Sequence, residues 1–212
     1  MKYNSKIAVL GGGGRTGIFL VRQLINEGHH VKVLLRNPDH FNIQSPSIEI
    51  IKGDATDAGP INILLNGCSA VLSTIGQRPG EPLVAEKSTE NVLAAMAHYG
   101  IKRYILVAGL NIDTPFDRKS EETITATNWM KSNFPMIQED RQKAYTRLSL
   151  SDVDWTMVRV PFIEFTDTMG EVIVNLEDSP GTKINAGNIA VFLTNQLLED
   201  TYIRKSPFIA NK

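Results

Sequence analysis

Four consecutive glycines, Gly11–Gly14, separate an apolar run, Ile7-Ala8-Val9-Leu10, from a helical pattern, and they constrain this chain more than any other feature. Gly11, Gly14 and Gly17 carry the spacing G-x-x-G-x-x-G, followed about twenty residues after the first strand by a second apolar run, Val31–Leu35. The unit reads strand, glycine turn, helix, strand. In such a unit the first glycine permits a sharp exit from the strand. The second lets a pyrophosphate approach the backbone, and the third lets the helix sit close to the sheet. The helix then presents unpaired N–H groups and the positive end of its dipole to that anion.

The same alternation continues along the chain. Residues 18–27 place Ile18, Val21, Leu24 and Ile25 on one helical stripe, which Gly28 is positioned to end. His29 and His30 follow; with no third ligand at a usual spacing, they read as solvated loop residues and not as a metal site. Residues 47–52 predict a third strand, 69–75 a fourth and 104–108 a fifth. A helix over 82–99 lies between the last two, with Val84, Val92, Leu93 and Met96 as its buried face and Gly100 as its stop. Two helices are expected over 121–132 and 139–150, separated by Asn133-Phe134-Pro135. A sixth strand over 154–163, a short strand over 171–176, a closing helix over 188–199 and a last strand over 207–210 complete the reading. The fold class is therefore α/β: a doubly wound parallel sheet of Rossmann type, in one NAD(P)-binding domain over residues 1–212, with the later segments building a small C-terminal substrate-side lobe.

Composition narrows the function classes. Charged residues make up 21% and the net charge is −1, which gives no general attraction for nucleic acid or an anionic membrane. No apolar run reaches the length of a membrane span. Met1–Lys6 leads directly into the first strand and predicts no signal peptide, and a single cysteine, Cys68, fits a reducing cytoplasm. A small molecule is the expected partner.

Ligands of such sheets bind beyond the carboxyl ends of the strands. That selects Gly11–Gly17 with Arg15 and Thr16, then Arg36, Asp54, Gly76 and Gly109–Asn111. An acid at the end of the second strand would accept hydrogen bonds from an NAD ribose; this chain has Arg36 there. Together with Arg15 it would suit a 2′-phosphate, so NADP(H) is the expected cofactor. The alternative is two surface arginines, with Asp39 close by in sequence. Asp54 could accept from an adenine amino group, or cap the helix that starts near Asp57.

With these residues placed, the chain resembles the NAD(P)H-binding, atypical short-chain dehydrogenase/reductase family, and within it the biliverdin reductase B (flavin reductase) group and small bacterial NAD(P)-binding oxidoreductases. The resemblance is carried by GGGGRTG at 11–17, VLLRNP at 33–38, KGDATD at 52–57, AVLSTIG at 70–76 and DWTMVRVPFI at 154–163. It implies that Arg36 and Arg15 meet the adenosine phosphate, Asp54 the adenine, Gly76 the nearby ribose, and Pro161 with Phe162 the nicotinamide.

Short-chain dehydrogenases often move a proton with Ser and Tyr-x-x-x-Lys. No Tyr-x-x-x-Lys occurs here, and the family's serine position is Gly109. Arg141 and Tyr145, one helical turn apart, are the candidate catalytic pair, with Tyr145 as donor; the alternative is a half-buried packing tyrosine. The expected activity is NADPH-dependent hydride transfer to a small planar acceptor such as a flavin or quinone. A non-enzymatic NADP sensor and a sugar-nucleotide epimerase-like enzyme are the alternatives.

Overall fold

The computed structural model describes residues 6–212; the expectation for the first five residues lies outside it. Ten strands and six helices alternate along the described chain: β1 (Lys6–Leu10), α1 (Gly17–Asn26), β2 (His30–Leu35), β3 (Ile48–Lys52), α2 (Ala58–Leu65), β4 (Cys68–Ser73), α3 (Ala85–Tyr99), β5 (Arg103–Gly109), α4 (Glu121–Asn133), α5 (Pro135–Ser149), β6 (Asp154–Val160), β7 (Phe162–Glu164), β8 (Val172–Asn175), β9 (Lys183–Asn185), α6 (Ala186–Asn195) and β10 (Phe208–Asn211). Eight strands form one sheet in the order β3-β2-β1-β4-β5-β6-β10-β8, parallel except for β8. This is the predicted doubly wound sheet.

Both faces of the sheet are covered, and the two-residue period of the strands sorts the core. Ile7 and Val9 of β1 pack toward α1 and α6 with Leu20, Val21, Ile189 and Leu193. Ala8 and Leu10 face the other way, toward α2, α3 and α5 with Ile61, Leu64, Val92, Met96 and Leu148.

Several local expectations shift. Leu20 joins Val21 and Leu24 in the buried stripe of α1 in place of Ile18, because burial of Gly17 against the turn sets the helix phase. The helix expected from residue 82 begins at Ala85, and Val84 becomes its cap position. The helix expected from residue 139 begins at Pro135, which occupies the first turn where its missing N–H costs nothing. The sixth strand ends at Val160: Pro161 has no N–H for the ladder, and the chain leaves to pair β7 with β9 in a separate two-stranded sheet. β6, β10 and β8 widen the main sheet, so among the described residues no separate C-terminal lobe forms and the additions beside the sheet reduce to α4 and the β7–β9 pair. His29 is 3% exposed and not solvated. Gly28, at φ +83°, turns the chain so that His29 points inward and His30 outward.

Candidate functional site

A cleft of about 770 Å³ runs along the carboxyl ends of the strands. It crosses the point between β1 and β4 where the strand order reverses, the position at which doubly wound sheets hold ligands.

Its centre is the glycine turn. Gly11 has φ +76°, and a side chain there would lie 2.7–2.9 Å from the Thr74–Ile75 backbone. Thr74 fastens the turn to β4 by donating from its hydroxyl to the Gly11 carbonyl at 3.2 Å. Gly14 donates its N–H to the same carbonyl at 2.9 Å. A side chain on Gly17 would overlap that carbonyl, and one on Gly12 would press on Val33 at 2.6 Å. Gly11, Gly14, Arg15 and Thr16 line the cleft, while Gly17 lies behind it as the packing glycine. Thr16 makes no side-chain cap bond and the first turn of α1 has no acid. The Ile18 and Phe19 N–H groups are bonded to the Gly14 and Thr16 carbonyls at 3.1 and 3.2 Å, so what this end of the helix holds for an external anion is its uncompensated positive dipole. The turn fits the pyrophosphate of a nicotinamide dinucleotide.

At one end of the cleft, Arg36 forms a two-pronged pair with Glu81, Nη1 to Oε2 at 2.7 Å and Nη2 to Oε1 at 3.0 Å. This bond holds the Glu81 carboxyl below its ordinary range. Asp54 stands 3.8 Å from Arg36 and accepts from the N–H and hydroxyl of Thr56 at 2.8 and 2.7 Å. Burial opposes its ionisation, but the Thr56 bonds and Arg36 hold its carboxyl low. The cap of α2 is Asp57, whose side chain accepts from the Gly59 N–H, so Asp54 has no capping role there. Arg15 stacks its guanidinium on the Phe165 ring, 4.2 Å from the centroid. Both arginines line the cleft, but each is engaged by a different partner. Gly76 also lines it, with open space where a side chain would begin. Sequence reasoning missed Arg78, Glu81 and Phe165. Their only signal was position in the loops that follow β4 and β7.

At the other end stand Gly109, Arg141, Val160 and Pro161. These meet a second, largely apolar groove of about 1060 Å³, whose lining includes Leu110, Trp129, Met130 and Phe162, with Glu121 and Glu122 at the start of α4. Gly109, Val160 and Pro161 belong to both cavities; Phe162 lines the groove alone. Arg141 is largely withdrawn from water, which lowers its pKa against the attraction of Asp140. Tyr104 forms part of the cleft floor, with its hydroxyl bonded to Ser73 and Thr89 and its pKa pushed up to about 12 by burial.

Of the candidate pair Arg141 and Tyr145, the structure brings Arg141 to the cleft and places Tyr145 as the packing alternative has it. Tyr145 is 8% exposed and packs edge-on against Trp155, with ring centroids 6.2 Å apart. Arg141 and Ala144 line the cleft and Tyr145 does not. Burial raises its pKa, and the charges that act on it are those of Arg159 and Asp117 behind the cleft. Tyr145 lies one turn further along the same side of α5, past the end of the cleft wall, where it packs into the core on Trp155.

Sheet, crevice and glycine turn together define a dinucleotide-binding scaffold. The chain belongs to the NAD(P)H-binding family, whose profile matches residues 11–200. It is 23% identical over 185 residues to an uncharacterised chloroplastic protein of Arabidopsis thaliana, covering 82% of this chain and 65% of that one. It is 26% identical over 140 residues to cinnamoyl-CoA reductase 1 of Oryza sativa subsp. japonica, covering 60% of this chain and 41% of that one. The chain thus spans less than two thirds of these relatives. Solved structures share the fold. The oxidoreductase ylbE from Lactococcus lactis superposes with a TM-score of 0.80 at 17% identity, covering 98% of this chain and 91% of that one. A short-chain dehydrogenase/reductase from Veillonella parvula in complex with NADP gives 0.75 at 14% identity, covering 98% and 94%. These matches establish the NAD(P)H-binding family and not the narrower likeness to biliverdin reductase B. Among the described residues, no helix is long and apolar enough to cross a membrane.

Proposed function

We propose that this protein is an NADPH-dependent reductase that passes hydride to a small planar acceptor such as a flavin or quinone. The observation that carries this reading is the junction at Gly109, Val160 and Pro161, where the dinucleotide cleft opens into the apolar groove. Gly11, Gly14 and Thr16 would hold the pyrophosphate, Arg36 a 2′-phosphate, and Gly109 with Pro161 would flank the reactive ring. The cofactor, when bound, supplies the hydride. Trp129, Met130 and Phe162 offer flat apolar surface for an acceptor.

Gly109 brings no hydroxyl, and Tyr145 stays in the core. An acceptor that takes its proton from water suits that wall. The reductase named among the relatives and the NADP complex among the structural neighbours support the reading. The same withdrawal of Tyr145 favours, as a second reading, a non-enzymatic NADP sensor.

Calorimetric titration with NADPH and NADH, followed by NADPH oxidation against flavins, quinones and carbonyl compounds, tests the proposal. Tighter binding of NADPH and turnover with flavins or quinones are expected. Intact NADPH binding without turnover of any acceptor would leave the sensor reading.

A further inference from the structure

The adenosine end of the cleft carries its own anion. Both Arg36 guanidinium prongs are taken by the Glu81 carboxylate, at 2.7 and 3.0 Å. Arg78 lies 3.8 Å from the same carboxylate, and Asp54 lies 3.8 Å from Arg36. All four side chains line the cleft. The cluster is balanced, with two cations and two carboxylates.

We propose that Glu81 is a specificity-determining residue: a resident carboxylate that competes with a ligand phosphate for the Arg36 fork and so sets how strongly the site favours a 2′-phosphorylated dinucleotide. The proposal rests on the cofactor reading above. A planar guanidinium binds a carboxylate and a phosphate through the same pair of N–H bonds, so it serves one of them at a time. A phosphate must therefore displace Glu81, and it meets the charge of Asp54 as it does so. A ribose that carries only hydroxyl groups has no need of the fork. Glu81 thus lowers the affinity for the phosphorylated cofactor selectively.

Glu81→Gln keeps the size of the side chain and removes the charge. The pair is exposed, so the effect is moderate: NADPH should bind ~2- to 5-fold more tightly and NADH should change less than ~1.5-fold. In an Arg36→Ala background the same substitution should shift NADPH binding less than ~1.5-fold. Adenosine 2′,5′-bisphosphate against 5′-AMP reports the phosphate end alone and should repeat the pattern. Calorimetry on the full chain reads all of these, with thermal melts confirming folded variants. Unchanged NADPH affinity in folded Glu81→Gln overturns the inference while leaving the cofactor reading intact. Weaker NADH binding with unchanged NADPH binding also overturns it, by making Glu81 a ribose-hydroxyl acceptor. Failure of the unmutated protein to bind either dinucleotide overturns the cofactor reading and this inference with it.

Discussion

Asp140 of α5 caps α3 through Ala85: its carboxylate accepts from the Ala85 N–H at 2.8 Å and from the Glu86 N–H at 3.1 Å. The cap crosses from one helix to another, so it holds the α3 start against the cleft wall and fixes the turn that carries Arg141. The N-terminus of α3 thereby meets a carboxylate of the protein, whereas that of α1 has neither a side-chain cap nor an acid in its first turn. Asp140→Ala should cost ~1–2 kcal/mol of stability through loss of the cap, read by urea denaturation. Asp140→Asn should recover part of it. A change within ~0.3 kcal/mol would show that the cap contributes nothing measurable.

The glycines separate packing from binding. Gly17→Ala should destabilise the fold by more than ~2 kcal/mol, because the new carbon meets the Gly11 carbonyl and backbone cannot yield cheaply. Gly14→Val should instead remove detectable dinucleotide binding from a folded protein, since Gly14 lines the cleft where the pyrophosphate would approach. Melting curves and NADPH titration of both variants check the contrast. Unaltered NADPH affinity in folded Gly14→Val would mean that the turn holds no pyrophosphate.

What could be read in the sequence was what local pattern encodes. The glycine run between Leu10 and Gly17 states its own geometry, and the main sheet follows from apolar periodicity. The Arg36–Glu81 pair joins residues 45 positions apart through a loop, and no periodicity announces such a contact. Helix α5 hid its phase because it buries Gln138 and Asp140 beside Ala144, Tyr145 and Leu148. With polar residues inward, the apolar stripe could not show which side faces the cleft. β9, three residues long and paired only with β7, is too short for an alternation signal.

His29 should make stability fall with acid. Burial lowers its pKa from the ordinary 6.5, with Glu27 at 3.8 Å opposing in part. The unfolded chain therefore binds the proton more readily than the native one, and stability rises with pH wherever the unfolded state holds more protons. The contribution is complete above about pH 6.5 and is lost as pH falls from there toward the lower native value. Denaturation midpoints between pH 5 and pH 8 should show this slope, and His29→Gln should flatten it. An equal slope in the variant would assign it to other groups.

Trp129 tests the acceptor groove. It is 56% exposed and packs on Phe134 at 5.6 Å between centroids, so its removal should cost under ~1 kcal/mol of stability. If the groove receives the acceptor, Trp129→Ala should raise KM for flavins or quinones ~10-fold while NADPH affinity stays unchanged. An unchanged KM would place the acceptor elsewhere.

Arg141 and Tyr145 stand one turn apart on α5 and should behave oppositely. Arg141 lines the cleft, and its Nη1 lies 3.8 Å from where a side chain on Gly109 would begin. Among the described residues no hydrogen bond or ion pair fixes this guanidinium, although burial has removed much of its water. Burial lowers its pKa, yet a guanidinium remains charged at neutral pH. It therefore offers unspent donors to whatever sits over Gly109. Loss of one charge-assisted hydrogen bond is worth ~1.5–3 kcal/mol, so Arg141→Gln should lower kcat/KM by at least ~10-fold. Arg141→Lys should recover part of the rate through its charge. Tyr145→Phe removes a hydroxyl from the core and should leave kcat/KM within ~2-fold for flavin, quinone and carbonyl acceptors alike. Steady-state rates of the three variants decide the matter. A loss in Tyr145→Phe equal to that in Arg141→Gln, confined to carbonyl acceptors, would return the tyrosine hydroxyl to the proton transfer.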